Sequence, residues 1–246
     1  MDEYKWEKME GRDILKAFED DPQTMELCQW DMISDFAWNV ILQNKPELAS
    51  KCRWEKLPAW NQIRILICHP KLAHYADISD GTGNDIVNLL LKHPEINIDV
   101  PWDHLDGSNW SNLISFCPQF ISLCNFDLFD GSDWCNLLIA APELSSYCDN
   151  WELLDEDNWR VLLQQEPQFA KYCKWEILSG ENWCYLLSTN PEFSTHCDFE
   201  LLDGENWSIL LQSQPQFAEY CNFDLLDDYD WECLLEEQPH FANKRK

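Results

Sequence analysis

Residues 155–173 read DEDNWRVLLQQEPQFAKYC, residues 179–197 read SGENWCYLLSTNPEFSTHC, and residues 203–221 read DGENWSILLQSQPQFAEYC. The three blocks are one pattern displaced by 24 residues. Their proline extends the beat in both directions, through Pro22, Pro46, Pro70, Pro94, Pro118, Pro142, Pro167, Pro191, Pro215 and Pro239. Every interval is 24 residues except one of 25, which marks an inserted residue near Asp149 and Asn150. Self-similarity at a fixed short period is the signature of a repeat architecture. Units of this length fill the whole chain of 246 residues.

Other positions keep the same register. Eight residues before the proline stand Trp38, Trp110, Trp134, Trp159, Trp183, Trp207 and Trp231, with Ile14 and Ile86 substituting and Gln62 breaking the row. Apolar pairs such as Leu186-Leu187 follow the tryptophan at helical spacing, one apolar face of a short helix. Nine residues before the proline, Asp or Asn recurs (Asp133, Asn158, Asn182, Asn206, Asp230). These residue types predict the helix N-cap. The Asp-Gly and Ser-Gly pairs ahead of them (Asp130-Gly131, Ser179-Gly180, Asp203-Gly204) read as the turn between repeats.

The proline ends one helix and suits the first turn of the next. That second helix carries Phe169, Phe193 or Phe217 and then Cys173, Cys197 or Cys221 inward. An aromatic–acid–x–x–Leu segment, such as Phe199-Glu200 with Leu202, reads as a further 3₁₀ turn. No alternating β-branched run competes. The expectation is an all-α, right-handed solenoid of α and 3₁₀ pieces in about ten 24-residue repeats. At roughly 8–10 Å per packed helix it would be a curved rod of about 80–100 Å.

The W-x-x-L-L…P-x-F…C framework resembles short α-solenoids, above all leucine-rich variant repeats. Their period is also close to 24 residues and joins an α-helix to a 3₁₀ helix. It is also similar to Trp/Pro/Cys-bearing arrays of uncharacterised bacterial proteins. The Trp and Cys ladders depart from the leucine-rich variant pattern, and no cysteine cluster precedes the array to hold an iron–sulfur centre. The resemblance implies architecture and no activity.

The single repeat domain, 1–246, divides into N-terminal repeats at 1–57, degenerate repeats at 58–101 and regular acidic repeats at 102–246. In the degenerate stretch Gln62 replaces Trp, Ala76 and Val100 replace Cys, and Gly81 replaces Leu, which marks a bend or weak joint. Lys5, Lys8, Arg12 and Lys16 give the first repeat a polar end cap.

Charge is uneven. The chain carries 45 acids against 17 bases, a formal net charge of −28. Residues 93–243 hold 29 acids and only Arg160, Lys171 and Lys174. The acids fall into two rows. One follows the second aromatic: Asp127, Glu152, Glu176, Glu200 and Asp224. The other occupies the inter-repeat turns: Asp130, Asp155, Asp157, Glu181, Asp203, Glu205, Asp227 and Asp228. Acids near helix N-termini are favoured by the helix dipole, at about 0.3–1 kcal/mol, which explains part of the pattern without a partner. It leaves unexplained why bases are so rare, since like charges oppose folding. Six repeats span about 60 Å. Duplex DNA of that length carries about 35 charges, the same order as this segment's net charge.

These observations predict a non-catalytic protein-binding repeat protein. Its acidic ridge would engage a basic partner, in sharpest form inhibiting a nucleic-acid-binding protein by charge mimicry. The alternative is a scaffold or adaptor that binds through its concave face. Direct nucleic-acid or anionic-membrane binding is disfavoured by charge. No cofactor or metal motif appears: there is no C-x-x-C, no glycine-rich phosphate loop, and Cys68-His69 with His74 has no specific spacing. The tryptophans read as core rather than as a stacking platform. No apolar run reaches a membrane span, and the start lacks a signal-peptide stretch. Twelve cysteines, seven on one ladder too widely spaced for disulfides, point to a reducing, cytoplasmic setting.

Overall fold

The computed structural model describes residues 5–245. Among them there is no strand, and ten α-helices of ten residues recur, one ahead of each beat proline. The chain is an all-α solenoid of helix and 3₁₀ repeats in two compact units, Met1–Asn125 and Phe126–Lys246. The first unit holds α1 (Gly11–Asp20), a short α2 (Thr24–Leu27), α3 (Asp35–Asn44), α4 (Ala59–Cys68), α5 (Gly83–Lys92) and α6 (Gly107–Phe116). The second holds α7 (Gly131–Ala140), α8 (Glu156–Gln165), α9 (Gly180–Thr189), α10 (Gly204–Ser213) and α11 (Asp228–Glu237). Within each unit every ten-residue helix packs on the next in sequence.

A repeat has three parts. A three-residue 3₁₀ turn such as Phe199–Leu201 comes first. The α-helix follows. After it a six-residue 3₁₀ segment such as Pro191–His196 begins at the proline, which takes the first helical position. The residue before the proline leaves the helical region (Asn190, φ −128°, ψ 70°), in line with the bias a following proline ring imposes. The second helix expected from sequence is therefore 3₁₀ in most repeats. Pro22 is instead followed by the short α2.

The N-caps lie three residues earlier than the sequence indicated. Asp130, Asp155, Asp203 and Asp227 cap their helices and close capping boxes with Asp133, Asn158, Asn206 and Asp230, which are the third helical residues rather than caps. The glycine read as a turn is the first helical residue, and no glycine has positive φ among the described residues. Its need is spatial. A Cβ on Gly204 would overlap the Leu225 carbonyl oxygen and the Asp230 carboxylate of the following repeat.

In the regular repeats the core is one indole and two aliphatics, mostly leucine, per layer. Trp207 is 1% exposed, and Leu210 and Leu211 are fully buried. The second aromatic stacks on that indole, as in Phe199 on Trp207 (5.7 Å, 20°) and Trp151 on Trp159 (5.8 Å, 25°). Phe169, Phe193 and Phe217 are buried as expected, while the ladder cysteines are buried or half-buried.

Polar links join the layers. The side chain before the proline reaches back to a last-turn carbonyl of the preceding helix. Gln214 Nε2 donates to Ser188 O (2.9 Å) and Gln238 Nε2 to Gln212 O (2.8 Å). His69 Nε2 meets Gln43 O (2.9 Å) and His93 Nε2 meets Ile67 O (2.8 Å) in the same way. These carbonyls have no partner within their own helix. The two histidines are therefore inter-repeat clamps.

In the degenerate stretch the missing indole is replaced by hydrogen bonds. Buried Gln62 donates to Trp54 O (3.1 Å) and Leu57 O (2.8 Å) and accepts from Asp77 N (2.8 Å). Ile78, at the slot that elsewhere holds the second aromatic, is 1% exposed, and the side chains of Ile63 and Ile86 lie against Gly81. The inserted residue is absorbed between Cys148 and Trp151, where Asn150 accepts from Glu152 N (3.1 Å).

Asp203→Ala should lower unfolding free energy by about 1 kcal/mol, the usual worth of a side-chain N-cap. Gly204→Ala should cost more, even though alanine is the better helix former. Urea denaturation of both variants checks this order. A neutral or stabilising Gly204→Ala would show that the close approach is not real.

Candidate protein-binding face

The 3₁₀ turn ahead of each helix builds the face. Its first residue is the stacked aromatic, its second the acid and its third an aliphatic. With three residues per turn these point in three directions. In the second unit the inward residues are Phe126, Trp151, Trp175, Phe199 and Phe223. The acids beside them, Asp127, Glu152, Glu176, Glu200 and Asp224, are all exposed. The aliphatics Leu128, Leu153, Ile177, Leu201 and Leu225 are exposed as well.

A further ring covers the outer side of the inward aromatic. Tyr172 stacks on Trp151 (4.2 Å, 7°), His196 on Trp175 (4.4 Å, 7°) and Tyr220 on Phe199 (4.5 Å, 10°). Tyr147 does so on Phe126 (5.2 Å, 24°). Each such rung is a column of three rings running from buried indole to exposed ring. The sequence reading missed both the aliphatic row and this outer ring row. Their signal was periodicity at single slots, five residues after the proline for the rings.

The second acidic row is also exposed, but much of it does local work. The capping carboxylates accept from backbone at 2.8–2.9 Å: Asp130 from Asp133 N, Asp155 from Asn158 N, Asp203 from Asn206 N and Asp227 from Asp230 N. Asp157 lies 3.8 Å from Arg160, and Asp228 pairs with Arg245. Glu181, Asp203 and Glu205 converge with Leu201 and Tyr185 on a shallow cleft of about 290 Å³ between α9 and α10. The structure thus brings together an aliphatic row with acids on both flanks.

Two acids show what the first row takes. Asp31 binds Arg53 (2.7 Å), and Glu152 binds Lys174. Each base stands just before the next repeat's aromatic. The Lys174 ammonium beside Glu152 holds that carboxyl below the usual carboxylate range, and Glu152 in turn raises Lys174. In the following repeats the base's slot holds Asp198 and Asn222, which cap the backbone N–H of Glu200 (3.1 Å) and Asp224 (3.2 Å) instead.

The first unit holds a larger cleft, about 690 Å³, at the degenerate repeats. Trp54, Glu55, Lys56, Gln62, Tyr75, Asp77, Asp80 and Asp85 line it. Its hydroxyl–carboxylate contact, Thr82 Oγ1 to Asp85 Oδ2 (2.7 Å), belongs to the cap of α5. Among the described residues no three His, Cys, Asp or Glu side chains are placed to hold a metal ion. None of the described helices is long and apolar enough to cross a membrane.

All twelve cysteines are free thiols. Burial pushes Cys28, Cys52, Cys124, Cys173, Cys184, Cys197 and Cys221 up to about 12, and Cys135 and Cys148 to about 11.

No family model, curated protein or solved structure matches the chain.

Because the thiolate is the reactive form, these thiols should resist iodoacetamide in the folded protein near pH 7.5. Exposed Cys68 should be alkylated first, and the ladder cysteines only on unfolding. Intact-mass counting reads the number of adducts. Rapid native alkylation of Cys173 or Cys184 would contradict the packing described.

Proposed function

We propose that the chain is a non-catalytic protein-binding repeat protein whose acidic face engages a basic partner. One observation carries this reading. The first-row acids are exposed and recur along the repeats, and two of them, Asp31 and Glu152, meet a cation from the following repeat. Beside Glu176 and Glu200 the equivalent slot holds Asp198 and Asn222, which leaves that role to a partner's lysine or arginine. In its sharpest form the protein inhibits a nucleic-acid-binding protein by occupying its basic groove. The net charge of the second unit, −19 over residues 126–246, favours such a target. The free thiols favour a reducing, cytoplasmic setting. The pairing of α and 3₁₀ helices at a 24-residue period favours kinship with leucine-rich variant repeats.

The scaffold reading draws on a different observation, the exposed aliphatics and tyrosines of the same unit. Apolar contact would make binding less sensitive to salt than charge pairing alone.

The test uses basic DNA-binding proteins held on duplex DNA, with the full chain added at rising ionic strength. It should displace them at low salt and lose that ability as screening sets in. The triple variant Glu176→Lys, Glu200→Lys, Glu205→Lys alters no N-cap and should lose displacement while melting normally. Displacement unchanged by this reversal would remove the charge-mimicry reading.

A further inference from the structure

We propose that the second unit binds an extended, arginine-rich segment of its partner, with one arginine per repeat and therefore at every third residue. This rests on the basic-partner reading and names the binding mode.

The aliphatic row is the first ground. Leu128, Leu153, Ile177, Leu201 and Leu225 are 39–48% exposed and recur at one slot in five successive repeats. The fold does not require them. The same slot in the first unit holds Lys8, Lys56 and His104 beside one apolar residue, Met32, each closing an equivalent 3₁₀ turn. Five aliphatics in succession, kept exposed where lysine fits, form an apolar stripe for a ligand. Patches of this kind mark interaction surfaces.

The occupant follows from what flanks the stripe. Each rung sets a carboxylate beside an aromatic ring whose outer face is open to solvent or is itself covered by an exposed ring. Tyr147, Tyr172 and Tyr220 supply that outer ring at 40–54% exposure. A planar guanidinium suits both surfaces, pairing with the carboxylate and stacking on the ring. The chain's own cations already use these sites: Lys174 on Glu152, Lys171 Nζ over the Tyr172 ring at 4.7 Å, and Lys244 Nζ over the Phe223 ring at 5.7 Å.

Spacing sets the register. Packed helices stand about 8–10 Å apart. A polyproline-II segment rises about 3.1 Å per residue and returns to the same face every third residue, about 9.3 Å along. One arginine in three would therefore meet successive rungs. The remaining residues can lay apolar side chains along the aliphatic stripe.

The experiment titrates the full chain with three labelled peptides of about fifteen residues, enough for five rungs at three residues each. One carries arginine at every third residue with proline and leucine between. The second has the same composition with its arginines in one block. The third replaces arginine by lysine at the periodic positions. The periodic arginine peptide should bind about tenfold more tightly than either control, a difference of about 1.4 kcal/mol. The variant Leu153→Ser, Leu201→Ser, Leu225→Ser with Tyr172→Ser should erase that preference. Its circular-dichroism melt serves as the fold control. Equal affinity for the periodic and block peptides would overturn the rung register and leave the basic-partner reading intact. Absence of binding by all three at low salt would overturn both.

Discussion

Most repeats depend on burying an indole that they cannot bury alone. A ten-residue helix is too short to be stable by itself in water. Its Trp-Leu-Leu stripe becomes core only when the next layer covers it, as the fully buried Leu210 and Leu211 show. The other local features serve that approach. A glycine opens the helix because the following repeat's carbonyl oxygen lies where a Cβ would stand. The side chain before the proline reaches back to the preceding helix because the layers are close enough for it to cap a stranded carbonyl. Proline ends the helix and starts a 3₁₀ segment that returns the chain to the next layer.

The degenerate repeats show what happens when the indole is lost. Gln62 is as buried as the tryptophans, and an unpaired amide there would cost the full desolvation penalty. Both ends of its side chain are therefore bonded to backbone from the turns on either side. The three-residue 3₁₀ turn is missing before α5, and Ile78 inserts from an irregular segment to complete the core. A cleft lined by Tyr75, Asp77 and Asp80 lies beside this segment. Drift in the repeat is thus repaired by hydrogen bonding at one point and by a hydrophobic substitute at another.

The period, the tryptophan layers and the sequence of helical pieces were legible because each depends on residues recurring at fixed intervals. The caps were misplaced by three residues for a physical reason. In Asp203 and Asn206 the box is reciprocal, each side chain bonding the other's backbone, and residue type alone does not say which stands outside the helix. The adjacent glycine argued for a turn, whereas its role is clearance against another repeat, which a one-dimensional reading does not contain. The outer tyrosines were overlooked because their meaning lies in stacking on a residue about 21 positions earlier, as Tyr172 does on Trp151.

The same distinction sorts the acids. A carboxylate at Asp130, Asp155, Asp203 or Asp227 satisfies orphan amides at the start of its helix, so helix formation accounts for it. The acids of the 3₁₀ turns have a different standing. At Glu152, Glu200 and Asp224 the backbone N–H is capped by the residue two before, Asn150, Asp198 or Asn222. The turn would keep that cap if the acid itself were neutral. Their carboxylates are exposed and add to the mutual repulsion of a strongly anionic chain, which opposes folding. A carboxylate that the cap of its own turn does not need, repeated from layer to layer beside an exposed apolar row, is accounted for most directly by a ligand that uses both.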